Sequence, residues 1–134
     1  MALEVWTARL GTRDPDWLDV TRAQKTNETG GGHLGIGLSF APSLALLKHY
    51  LKIRHEDPEL ARELTDEQWA AYSQSYLIEM RESYIRRRQT WLKLLERPRV
   101  VLCCFCTHPV QCHRYIFGGQ ILPKLGADYR GELA

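Results

Sequence analysis

Apolar and polar positions alternate through LEVWTARL, which predicts a first strand carrying Val5, Trp6 and Thr7. GTRDP is turn chemistry. WLDVTRA then predicts a second short strand from Trp17 to Ala23, with Asp19 and Thr21 on one face and Leu18, Val20 and Arg22 on the other. Periodicity stops from Gln24 to Ser39, so a long glycine-rich loop is expected there. Gly30, Gly31, Gly32, Gly35 and Gly37 do not make a phosphate loop, because neither glycine signature of such loops is present between a strand and a helix. APSLALLKHYLKIRHE predicts a helix with Pro42 near its first turn and an apolar stripe of Leu44, Leu47 and Leu51. DPELARELTDEQ predicts a short helix or a pair of turns, with Thr65 or Asp66 able to cap the next helix.

That next helix is the longest element. Trp69, Tyr72, Tyr76, Met80, Tyr84, Trp91 and Leu95 recur at helical spacing, which predicts an amphipathic helix from about Asp66 to about Glu96. The stripe reads as core rather than as a platform for stacking bases. It is interrupted at Arg87 and Arg88, so either the helix bends there or an arginine enters the interior with a partner. Pro98 ends the helix. Val100 to Cys106 is a continuous apolar run, as in a strand covered on both faces. THPV turns the chain. QCHRYIFGGQILPKLG predicts a helix with Tyr115, Ile116, Ile121 and Leu122 apolar and Gly126 as its cap, and ADYRGEL a short last strand. A buried strand flanked by helices implies an α/β fold, a mainly parallel sheet with helices on its faces, in one domain spanning residues 1–134.

Composition changes this picture little. The chain is 44% hydrophobic and 25% charged, with a net charge of +2, so bulk electrostatic binding of duplex DNA is not indicated. Arg81, Arg86, Arg87, Arg88, Lys93, Arg97 and Arg99 nevertheless crowd one segment, which reads as a solvated helix face or as a patch that meets an anion. No apolar run approaches the ~20 residues needed to span a bilayer, and no basic region with an apolar segment leads the chain. No membrane partner is expected, and the cytoplasm is the expected compartment.

That compartment disfavours a structural disulfide among Cys103, Cys104, Cys106 and Cys112. Cys103 and Cys104 are adjacent on a strand and point to opposite faces. Cys106 ends the strand, and Cys112, His113 and Arg114 open the next helix, where open α/β sheets place their ligands. Free N–H groups at a helix start favour negative charge and lower a thiol pKa. Arg114 can hold a phosphate or carboxylate. His113 can carry a proton near neutral pH. Three readings compete: an anion or thiolate site at Cys112, His113 and Arg114; a zinc site of Cys104, Cys106, Cys112 and His113; and buried cysteines acting as small hydrophobes. A Cys-based phosphatase loop is excluded, because the positions where its arginine would stand hold Cys112 and Gly118.

VVLCCFCTHPVQCHR resembles the domain-of-unknown-function 488 family, with a strand ending in C-x-C, a turn, and Cys-His-Arg opening a helix. The likeness extends in order through VWTARLG, LDVTRAQK, SFAPSLALL, YLIEMRESY and KLGADYRGE. It implies a small intracellular α/β domain of Rossmann-like layered architecture and names no reaction. By this resemblance Cys104, Cys106, Cys112, His113 and Arg114 match the signature, and Thr7, Arg9, Asp19, Thr21 and Arg22 match its N-terminal segments. The chain departs from many relatives at Cys106, where glutamate is common, and that weakens a dedicated thiolate cage. The expectation is a domain that binds or acts on a phosphorylated or anionic ligand, nucleotide or nucleic-acid related. Cys112, His113 and Arg114 would be its chemical residues, Thr7, Arg9, Asp19, Thr21, Arg22 and Cys106 would line its pocket, and it would need no cofactor. The alternative is a non-catalytic zinc module that contacts nucleic acid or a protein. No oligomeric state is assigned.

Overall fold

A computed structural model describes residues 2–9, 11, 14–22, 36–54, 63–104 and 110–133. Its strands are β1 (Glu4–Arg9), β2 (Trp17–Asp19), β3 (Arg99–Cys104) and β4 (Asp128–Glu132). They form a sheet of order β2-β3-β1-β4, and every neighbouring pair is parallel. The α/β layered fold expected from the buried run at Val100 is therefore present. All strand carboxyl ends open to one edge, as parallel strands must.

Alternation sorts the side chains. Val5, Leu18, Val20, Val100 and Leu102 belong to the larger apolar cluster, which also contains buried residues of every described helix. Ala8, Val101 and Cys103 form a smaller cluster, bordered by Trp6, Trp17 and Leu133, on the opposite face. Among the described residues the helices thus gather on one face, and tryptophans cover the other. Cys103 and Cys104 face opposite ways, as their adjacency requires.

Several elements differ from the periodicity. β2 stops at Asp19 rather than running to Ala23, which lies outside the described residues. The Asp19 carboxylate accepts from the Thr21 N–H (2.8 Å) and hydroxyl (2.6 Å), closing a turn that ends the strand. Most of the expected glycine-rich loop lies outside the described residues, but its end forms a 3-10 turn, Gly37–Phe40. α1 (Leu44–Arg54) buries Leu46 and Tyr50, while Leu44 and Leu51 of the expected stripe are exposed. α1 has apolar side chains on more than one face. The Tyr50 hydroxyl decides which face turns inward, by donating to the Gln111 carbonyl (2.6 Å). Pro42 precedes the helix, and Ser43 caps it through its hydroxyl to the Leu46 N–H.

The expected single long helix is divided into α2 (Asp66–Arg86) and α3 (Arg88–Leu95). Arg87 has φ −125° and ψ 40°, outside helical geometry, so the break falls where the apolar stripe is interrupted. The arginines stay exposed, and the structure takes the bend. Thr65 starts α2 with a reciprocal capping box to Gln68. Tyr72, Tyr76, Met80 and Trp91 are buried, so the aromatic stripe is core. Most of the expected short helix before Thr65 lies outside the described residues. No described helix is long and apolar enough to cross a membrane.

The helix after β3 is built of contiguous pieces: an α turn, His113–Ile116; a π turn, Phe117–Ile121; and an α turn, Leu122–Lys124. Together these are α4. Gly118 lets α4 lie close on the sheet, since a Cβ there would stand 3.1 Å from Leu102 Cδ1 and 3.2 Å from Thr7 Cγ2. Gly126 has φ +96°, in the left-handed region expected of a helix cap.

Candidate functional site

The carboxyl edge of the sheet and the start of α4 bring Cys104, Cys112 and His113 together. Cys104 ends β3 on the helix-bearing face. Cys112 is the extended residue just before α4, and its carbonyl accepts from the Tyr115 N–H (3.1 Å). All are buried. His113 Nδ1 is 3.9 Å from Cys104 Sγ and 3.9 Å from Cys112 Sγ. Its Nε2 is 2.7 Å from the Val20 carbonyl oxygen.

A carbonyl only accepts, so Nε2 carries the hydrogen. In the neutral ring Nδ1 then presents its lone pair toward the sulfurs. The Tyr76 ring meets the imidazole edge-on, with centroids 5.6 Å apart. Burial pushes the Tyr76 and Tyr72 hydroxyl pKa values up, and the neighbouring thiols add to the rise, so both phenols stay protonated. Burial raises the Cys103 thiol to about 12 on the other face of the sheet, which makes it an inert core residue.

Arg114 points elsewhere. Its side chain is 1% exposed and meets Glu132 of β4 through Nη2 (2.8 Å) and Nε (3.2 Å). The Tyr115 hydroxyl donates to Glu132 (2.8 Å), and the guanidinium lies over the Tyr115 ring. Thr7 is buried nearby, its hydroxyl 2.8 Å from that of Tyr129. Burial lowers the Arg114 pKa, but the Glu132 hydrogen bond and the attraction of Cys112, Glu132 and Tyr115 together outweigh it, and the guanidinium stays charged. Burial pushes Glu132 up, but hydrogen bonds from Arg114, Thr7 and Tyr115 outweigh this, and its carboxyl ends below its ordinary range. An anion reaching for Arg114 therefore competes with a carboxylate already in place.

The remaining expected pocket residues are distributed around the same edge. Arg9 is exposed at the end of β1. Asp19 and Thr21 are buried in their turn. Arg22 donates from Nε to the Pro42 carbonyl (2.8 Å) and from Nη2 to that of Ala41 (3.4 Å). Cys106, expected as a pocket residue and as a zinc ligand, lies outside the described residues. Sequence reasoning missed Glu132, Tyr115, Tyr129 and the Val20 carbonyl. The alternation of β4 could have pointed to Glu132, whereas a backbone acceptor leaves no trace in the sequence.

A family model described as the active DUF488-N3 subclade, DUF488-N3a, matches residues 38–124. The chain belongs to the DUF488 family. The matched span of this DUF488 domain runs from the 3-10 turn through α4. It contains Cys104, Cys112, His113 and Arg114, and leaves Thr7, Arg9, Asp19, Thr21, Arg22 and Glu132 outside. The thiol–imidazole cluster thus lies within the part shared with the family, and the acid that neutralises Arg114 lies beyond it. No curated protein and no solved structure matches the chain.

Proposed function

We propose that this DUF488 domain binds or acts on a phosphorylated or anionic ligand, with Cys112, Cys104 and His113 as its chemical centre. The observation that carries this reading is the His113 ring, held by Val20 so that Nδ1 faces the sulfurs at 3.9 Å. A neutral imidazole so held can take a thiol proton, and the resulting thiolate is a nucleophile. Cys112, next to His113 at the start of α4, is the assigned nucleophile or thiol donor, and His113 is the proton carrier.

Alkylation of each cysteine as a function of pH, read by mass spectrometry, tests this. Cys112 is expected to be alkylated faster than Cys103 at neutral pH, and His113→Ala to abolish that advantage. A reaction no faster than that of Cys103, or one that His113→Ala leaves unchanged, would end the nucleophile reading.

A specific observation also favours zinc. Cys104 Sγ, Cys112 Sγ and His113 Nδ1 lie within 4.8 Å of one another, and the other ring nitrogen is oriented by a carbonyl, as in many metal-bound histidines. Zinc–sulfur and zinc–nitrogen bonds give tetrahedral edges of roughly 3.6 Å, so the 3.9 Å separations need only a small contraction. These residues would hold the ion, which would supply Lewis acidity or a structural tie. Metal analysis of protein purified without added zinc decides: near-stoichiometric zinc supports this second reading, and its absence favours the first.

A further inference from the structure

Arg114 is committed to Glu132, so the anion of the proposed ligand needs another seat. A cleft of about 330 Å³ lies between residues 36–43 and the C-terminal half of α2, and Arg22, Ser39, Glu79, Glu82, Arg86 and Arg87 line it. We propose that this cleft seats adjacent phosphate groups, those of a nucleoside diphosphate or of a single-stranded nucleic-acid backbone. The inference deepens the reading of an anionic ligand and rests on it.

Positive charge converges here from separate parts of the chain. Arg22 comes from the turn after β2, and Arg86 and Arg87 from the end of α2 and the break behind it. Arg22 is anchored by Nε and Nη2 on the carbonyls of Pro42 and Ala41, and its other N–H groups donate to no described residue. Arg86 and Arg87 form no ion pair with a described residue. Among the cleft's carboxylates, Glu79 is engaged by the Ser43 N–H and hydroxyl. Three arginines against two glutamates leave one net positive charge, and Glu82 is the carboxylate left to oppose a ligand. Guanidinium groups on facing walls suit the forked geometry of phosphate oxygens.

A helix-capping role does not account for the cluster. One cation in the last turn satisfies the dipole of α2, and Arg86 supplies it. Arg87 lies past the helix, at the residue that breaks it. Arg88 turns away and stacks over the Tyr84 ring, 5.5 Å from its centroid, outside the cleft. Like charges at consecutive positions repel unless something neutralises them.

The cleft and the thiol cluster are built on two shared elements, the turn after β2 and α2. Arg22 follows Val20, the residue that holds His113, by a single intervening threonine. Met80 lines the cleft, and Tyr76, one helical turn before it, packs on the His113 ring.

Titration calorimetry with sodium pyrophosphate and anisotropy with a labelled oligothymidylate, on the full chain at low ionic strength, test the inference. Binding of either probe, weakened by salt, supports it. Pyrophosphate alone assigns a free nucleotide's phosphates, and oligothymidylate alone a single strand. Arg86→Ala and Arg87→Ala should each weaken binding by about tenfold, and Arg88→Ala by less than about twofold. Glu82→Gln should tighten it. Because Arg22→Ala also removes bonds that hold residues 41–42, the exposed Arg87 is the deciding variant. Failure of the wild type to bind either probe would overturn the inference, as would an Arg88→Ala loss equal to that of Arg87→Ala. Anion binding with no activated thiol would refute the role of Cys112 and leave the cleft intact. An activated thiol with no anion binding would do the reverse.

Discussion

Arg114 and Glu132 form a forked ion pair between the first turn of α4 and the edge strand β4, at 2.8 and 3.2 Å. The pair is asymmetric, with the arginine side chain 1% exposed and the glutamate 32%. Removing the acid deprives an interior cation of its forked carboxylate partner, whereas removing the base leaves a carboxylate that water can reach.

Glu132→Ala should therefore cost about 3 kcal/mol of stability in urea denaturation. The double variant Arg114→Met/Glu132→Leu should recover most of that loss, because an apolar pair of similar volume carries no desolvation cost. A double variant less stable than Glu132→Ala alone would show that the pair itself holds β4.

The same pair sets an acid limit. The Glu132 carboxyl is pushed up by burial but pulled further down by its hydrogen bonds, and that of Asp14 is lowered chiefly by its hydrogen bond with Arg99. A folded-state pKa below the unfolded value means that the native state binds fewer protons. That stabilisation is complete above the unfolded carboxylate range and is lost as pH falls through the folded values. Melting temperature should hold level down to about pH 5 and then drop, and Glu132→Gln should flatten the drop.

Cys103, at about 12, should stay unmodified at mildly alkaline pH in the native protein and react fully once unfolded. Cys103→Ala should leave the reactivity of Cys112 unchanged, since the two sulfurs lie on opposite faces of the sheet. Cys103→Ser should cost about 1–2 kcal/mol by burying a hydroxyl in an apolar cluster. Peptide-level mass spectrometry and denaturation midpoints measure both.

Gly118→Ala should destabilise by about 1–3 kcal/mol, because the new methyl meets Leu102, Thr7 and Val5 at 3.1 to 3.3 Å. To relieve those contacts α4 must lift from the sheet, which moves His113 away from Cys104. Thiol reactivity should fall alongside stability, and Gly119→Ala, whose methyl meets only Tyr129 at 3.4 Å or more, should do neither.

The elements that periodicity reveals are those whose burial has one direction. β1, β3 and the aromatic face of α2 were legible because a period of two or of about three and a half leaves little choice of inner face. Thr65 was legible because a capping box is local chemistry. The interruption at Arg87 was visible as a gap, but its resolution depends on backbone angles that no side-chain pattern encodes. On α1 the leucines outnumber the inner positions, and a tyrosine hydroxyl settled the face from outside the helix. The π turn of α4 was hidden, since it shifts the helical register without changing composition. At the site, the grouping of Cys104 with Cys112 and His113 could be read from strand and helix positions. The pairing of Arg114 with Glu132, eighteen residues apart, required the register of β4 on β1.

The pairing of β1 with β3 joins Glu4 to Arg99 and Arg9 to Cys104. Segments about ninety-five residues apart must meet before the middle of the sheet exists, and such closures come late in folding. Until they meet, Cys103, Cys104 and Cys112 have no interior to enter. A nascent or refolding chain is then open to peroxide and to mispaired sulfurs at the very residues that the finished sheet conceals. A reducing milieu would therefore protect the chain while the sheet assembles.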